Sequence, residues 1–171
     1  WQGWQGWQDN RVASASAAFA NLEQMAARGE GDVVERAREV ATSHDGTNYT
    51  PLAWLIGAGS AVENNDLETA TSYLERARES ADRVQLVATV DLRLARVLWA
   101  QGEHDAALER LANPPAGFDG LFAELRGDIL AERGDLVAAR EAYETAVESD
   151  AANGLLQMKL DSLPAGAEEK S

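Results

Sequence analysis

Gly134-Asp135-Leu136-Val137-Ala138-Ala139-Arg140-Glu141-Ala142-Tyr143-Glu144-Thr145-Ala146 is the stretch that decides the architecture. A tight turn opens onto a helix in which the small residue Ala139 is followed one turn later by Tyr143 and then by Ala146. Two other stretches repeat the device, Asn65-Asp66-Leu67-Glu68-Thr69-Ala70 and Gly102-Glu103-His104-Asp105-Ala106-Ala107. From Ala70 to Ala107 is 37 residues, and from Ala107 to Ala139 is 32. Those intervals bracket the 34-residue period of a helix–turn–helix repeat.

The residues around each register fill in the tetratricopeptide pattern. The first repeat has Trp54, then Gly57 and Ala58 where two helices must touch, then Ala70, Leu74 and Ala77. The second has Leu94, Ala95 and Leu98, then Ala107 and Leu111, with Pro114 replacing the last small residue. The third has Arg126, Gly127 and Leu130, then Ala139, Tyr143 and Ala146. A small residue on the first helix lets the alanine of the second come into contact, where a large side chain would overpack by about 1–3 kcal/mol. The expected fold is all-α, with TPR-like helical hairpins stacked as a short right-handed superhelix.

Working outward, helices are expected at 11–28, 33–43, 50–63, 67–79, 83–101, 104–112, 118–133, 136–149 and 152–162, each bounded by Gly, Asn, Asp or Pro. Asp32 is placed to cap the second, and Pro51 to open the third at a position that needs no N–H. The expected organisation is a Trp-rich segment over 1–10, a TPR-like domain over 11–163 and a flexible tail over 164–171. Within the domain lie a degenerate capping pair at 11–44, repeats near 51–82, 83–114 and 118–150, and a capping helix at 152–163. The Trp-rich start places Trp1, Trp4 and Trp7 on one helical stripe. Indoles favour the membrane–water interface, so this reads as a membrane-proximal segment beyond an anchor that the chain lacks. A first helical turn packing its indoles on neighbours, or a remnant of cloning, would give the same pattern.

Composition narrows the function classes. The 171 residues suffice for one domain with a real core. With 29 acidic against 15 basic residues the net charge is −14, which disfavours nucleic acid and anionic lipid surfaces. There are no cysteines, hence no disulfide or thiolate metal site. His44 and His104 lie far apart without a metal-ligand partner at helical spacing, and His104 reads as a helix cap. Gly57-Ala58-Gly59-Ser60 falls inside a helix and is read as close packing, not as a phosphate cradle. Carboxylates spread along exposed faces with arginine one turn away, as at Glu75 and Arg78. Asn48-Tyr49-Thr50 is a glycosylation sequon, which in a bacterial protein would mean nothing. No catalytic residue, metal site or cofactor is expected, and the reading is of a non-enzyme.

First helices of such pairs line the concave face of a solenoid. The candidate protein-binding groove is then Leu52, Leu55 and Val62 from the first repeat; Thr89, Leu92, Arg96 and Trp99 from the second; and Leu121, Glu124, Asp128 and Glu132 from the third. Trp99 and Arg96, one turn apart, are of the types that anchor protein interfaces. Packing of Trp99 under the following helix is the alternative. The groove lacks the cationic cluster that would clamp a carboxylate terminus, and its apolar and acidic lining suits an extended client.

Three stretches carry a family resemblance: Asp91-Leu92-Arg93-Leu94-Ala95-Arg96-Val97, Glu124-Leu125-Arg126-Gly127-Asp128 and Leu156-Gln157-Met158-Lys159-Leu160. They resemble signature stretches of the YfgM family, and the likeness extends over about 11–163. The Trp-rich start is similar to the segment that follows that family's single membrane helix. The resemblance implies a TPR-like domain on the periplasmic side of the bacterial inner membrane, tethered by an N-terminal anchor. It also implies partnership with the SecYEG translocon and the chaperone PpiD, and handover of unfolded secreted clients. A pure assembly scaffold, or a regulator of envelope stress without direct client binding, is the other role it allows. The acidic balance, the short Ala-rich helices and Pro114 depart from the family pattern.

Overall fold

The computed structural model describes residues 2–150 and 153–164, with side chains from residue 10 onward. Trp1, the side chains of Trp4 and Trp7, and nearly all of the expected tail lie outside the described residues. Among those described there are nine α-helices and no strand. They are α1 (Gln2–Arg28), α2 (Val33–Ser43), α3 (Thr50–Glu63), α4 (Leu67–Ser80), α5 (Val84–Ala100), α6 (His104–Arg110), α7 (Asp119–Arg133), α8 (Leu136–Ser149) and α9 (Gly154–Ser162). The all-α, helical-hairpin expectation is met. By its contacts the chain divides into two compact units, Trp1–Arg83 and Val84–Ser171.

Local chemistry sets the helix ends. Asp32 caps α2 by accepting from the Glu35 N–H at 3.0 Å, and Asp66 caps α4 by accepting from the Thr69 N–H at 3.0 Å. α7 ends on Gly134 in the left-handed region (φ 88°), where a side chain would be strained. There the Asp135 N–H reaches back to the Leu130 carbonyl at 2.9 Å. α1 runs unbroken from Gln2 to Arg28.

Two expectations need correction. α6 stops at Arg110, short of 112. Asn113 precedes Pro114, which disfavours helical backbone there, and the Leu111 and Ala112 N–H groups turn back three residues to Leu108 and Glu109. His104 does not cap α6 either. Glu103 holds that position without a side-chain bond, and His104 is the first helical residue, its Nε2 3.5 Å from Glu132 Oε1.

In the first unit α3 packs on both α2 and α4, and α2 lies against α3 over a longer contact than against α1. Gly57 is the meeting point. A Cβ added there would sit 2.7 Å from Ala37 Cβ and 2.7 Å from the Tyr73 ring. Tyr73 meets Trp54 edge-on with centroids 4.8 Å apart, and its hydroxyl donates to the Val34 carbonyl at 3.2 Å. In the second unit Gly127 plays the same part, with an added Cβ 2.5 Å from the Tyr143 ring. Gly57 to Gly127 and Tyr73 to Tyr143 are each 70 residues, two repeat periods. The small residue on the first helix thus seats an aromatic ring of the second helix. Ala70 and Ala139, both fully buried, lie one turn earlier.

Candidate functional site

The expected groove residues fall on three helices, each set on one face by its spacings of three, four or seven. Leu55 and Leu92 are buried, which leaves a partner little of either side chain. Val62 and Leu121 are exposed, as is Arg96. Trp99 and Thr89 are half-buried, and the Thr89 hydroxyl donates to the Gln85 carbonyl at 2.8 Å. Glu132 is exposed beside His104.

Glu124 and Asp128 are already engaged within the second unit. Lys159 of α9 donates to Glu124 Oε1 at 2.8 Å and to both oxygens of Asp128 at 2.8 and 2.9 Å. The Tyr143 hydroxyl donates to Asp128 Oδ1 at 2.8 Å. Apolar contacts hold α9 where this clamp can form: Leu156 packs with Ala123 and Ala146, while Leu160 and Leu163 pack against Tyr143 and its neighbours. Two carboxylates expected to face a partner are therefore engaged by one lysine of the same chain, which offsets one of their two charges. Lys159 was missed as part of the site, although it is the only basic residue of α9 and so the natural counter-ion for an acidic face.

The clamp perturbs both proton donors. Burial would lower the Lys159 pKa, but its hydrogen bonds and attraction to Asp128 and Glu124 outweigh that and hold it above the ordinary lysine value. Tyr143 is raised by burial first, then by its bond to Asp128 and by the two carboxylate charges. Both groups keep their protons more tightly folded than unfolded. Their contribution to stability is complete below about pH 10 and is lost as pH rises through the folded values, where the unfolded chain gives up those protons first. Tyr73, raised chiefly by burial, acts with the same sign in the first unit. Thermal unfolding followed by circular dichroism is expected to show Tm falling between about pH 10 and 12, and Tyr143→Phe with Lys159→Met to flatten that fall. An equal slope in the double variant would assign the effect elsewhere.

Leu52 borders a cavity of about 340 Å³ in the first unit, together with Arg11, Val12, Gly46, Thr47, Asn48, Tyr49 and Arg83. The expected groove included neither arginine. Their separation by 72 residues hides the pairing from any local reading. Among the described residues no three His, Asp or Glu side chains gather in a metal-holding group, and no helix is long and apolar enough to cross a membrane.

Comparison with known proteins bears on what these surfaces serve. A family model described as a tetratricopeptide repeat-like domain matches residues 1–165. The chain is 34% identical over 167 residues to the ancillary SecYEG translocon subunit of Escherichia coli (strain K12), covering 95% of this chain and 81% of the relative. It is 31% identical to the protein of the same name from Haemophilus influenzae, with 95% and 81% covered. The Aggregatibacter actinomycetemcomitans protein of that name is 30% identical, with 94% and 82% covered. The match thus runs through both units and both glycine–tyrosine seats, and the chain belongs to the tetratricopeptide repeat-like family of the ancillary SecYEG translocon subunits, the YfgM family.

Proposed function

We propose that the chain is a non-catalytic, protein-binding domain that associates with the SecYEG translocon. In this reading it works on the periplasmic side of the inner membrane, held there by an N-terminal anchor beyond Trp1. It docks the chaperone PpiD and helps pass unfolded secreted clients onward. The observation that carries the reading is similarity along 95% of the chain to proteins named as ancillary translocon subunits. Helical hairpins that present side chains from successive first helices suit such a role.

The test is affinity capture of the membrane-anchored protein from its native membrane. SecYEG and PpiD are expected among the captured proteins, and recovery of neither would refute the partner assignment. One observation favours a second reading, assembly without client contact: the Lys159 clamp already occupies Glu124 and Asp128. Arg96→Ala with Trp99→Ala separates the two. Client handover through the α5 face predicts that capture of unfolded secreted protein weakens by tenfold or more, the loss of about 2 kcal/mol typical of such anchors. Unchanged capture with unchanged helicity would favour the scaffold.

A further inference from the structure

We propose that the face of α7 and α8 on which α9 lies is a docking surface for a basic amphipathic helix of a partner protein, for which α9 holds the place. The inference rests on the protein-binding reading and names one surface and one partner chemistry for it. Direction gives the first argument. Leu156 packs with Ala123, Lys159 bonds Glu124 and Asp128, and Leu163 joins the cluster that contains Leu130. Contacts advance together along the two helices, so α9 runs in the same direction as α7. Arg140 of α8 meets the far end of α9, donating to the Leu163 and Pro164 carbonyls at 3.4 and 3.2 Å. A cation at that place suits the negative end of any helix laid in this direction.

Charge gives the second argument. Glu124 and Asp128 stand one turn apart on α7, with side chains only 25% and 24% exposed. Among the described residues Lys159 is the one cation paired with either, so one of two negative charges is left over. A helix running parallel to α7 meets both when it carries cations one turn apart. Lys159 supplies the second of these. The first falls at Leu155, one turn earlier and toward Glu124, and there α9 carries a leucine that is 57% exposed.

α9 therefore fits the apolar part of this face and half of the charged part. The full match is a helix with basic residues at the places of Leu155 and Lys159 and leucines at those of Leu156, Leu160 and Leu163. Anchors spaced by four and seven are how one amphipathic helix is read by another surface. A helix of nine residues is weakly held by itself, and Met158, 68% exposed, adds nothing to the contact. A second copy's α9 would bring the same leucine and leave the same charge unmet.

The experiment is a titration of labelled peptides spanning residues 153–164, followed by fluorescence anisotropy, into the full chain and into its Lys159→Glu variant. One peptide has the parent sequence, one carries Leu155→Lys and one carries Leu155→Glu. With the variant chain, the Leu155→Lys peptide is expected to bind about tenfold tighter than the parent peptide, as one further charged hydrogen bond implies. The Leu155→Glu peptide should bind more weakly than either. The unsubstituted chain should bind all three at least tenfold more weakly than the variant, because its own α9 competes. Glu124→Gln added to the variant should bring the Leu155→Lys peptide to the level of the parent peptide. A second variant, Leu156→Ser with Lys159→Glu, removes the apolar anchor as well, and hydrogen exchange checks that α9 has left. The inference is overturned if Leu155→Lys and parent peptides bind alike, which would assign the face to α9 of a second copy. It is overturned equally if both chains bind alike, if amide shifts map away from α7 and α8, or if no peptide binds the vacated face. Capture of SecYEG by the anchored protein does not depend on these outcomes, so the two readings fail separately.

Discussion

Gly57→Val is expected to lower the unfolding free energy by about 3 kcal/mol, with Tm falling by roughly 10 °C or more. A Cβ at that position would stand 2.7 Å from Ala37 Cβ on one side and 2.7 Å from the Tyr73 ring on the other, nearer than real Cβ atoms come. Ala37 is fully enclosed, so α2 cannot yield by rotating a side chain and must itself move. Valine at Gly59, two residues along the same helix, provides the control. A Cβ there meets nothing within 4 Å, and helix preference makes the change neutral or slightly stabilising. Tyr73→Leu should relieve only part of the Gly57→Val loss, because the clash with α2 remains. Denaturant unfolding of the four proteins makes the comparison. Equal stability of the two valine variants would show that the helices have room to part.

Lys159→Glu is expected to release α9 while leaving α7 and α8 paired. The change removes the cation shared by Glu124 and Asp128 and puts a third carboxylate in its place, all three partly screened from water. Loss of charged hydrogen bonds combined with like-charge repulsion costs about 2 kcal/mol. A nine-residue helix held chiefly by Leu156, Leu160 and Leu163 has little in reserve against that. Hydrogen exchange should show protection lost over Gly154–Ser162 and retained around Tyr143. Lys159→Met isolates the repulsion, since it keeps the apolar stem and adds no charge. Protection of α9 equal to that of the parent in the glutamate variant would show that apolar packing alone seats the helix.

The helical plan was legible because punctuation is local. Asp32, Pro51, Asn65, Gly102 and Gly134 act within one turn of their own position, and the helices they bound follow the expected spans closely. The intervals between Ala70, Ala107 and Ala139 gave the hairpin period, while the stronger 70-residue register of glycine and tyrosine went unread. A Cβ at Gly57 or Gly127 would meet the tyrosine ring, a restriction that the alanine intervals do not carry. Within the candidate site, helical spacing showed which side chains share a face. It could not show that Leu55 and Leu92 are buried, because burial depends on neighbouring helices. The Lys159 clamp spans 31 and 35 residues, and the pairing of Arg11 with Arg83 spans most of the first unit; no periodic pattern encodes either.

The two tyrosine seats also bear on how such an array diversifies after a helical pair is duplicated. Steric fit constrains the ring, but the oxygen at its tip bonds a main-chain carbonyl in one unit and a carboxylate in the other. Later change at the acceptor therefore needs no repacking of the helices. A duplicated pair can keep its shape while its phenol is rewired from the main chain to a charge, so that novelty accumulates at the rim of an inherited joint.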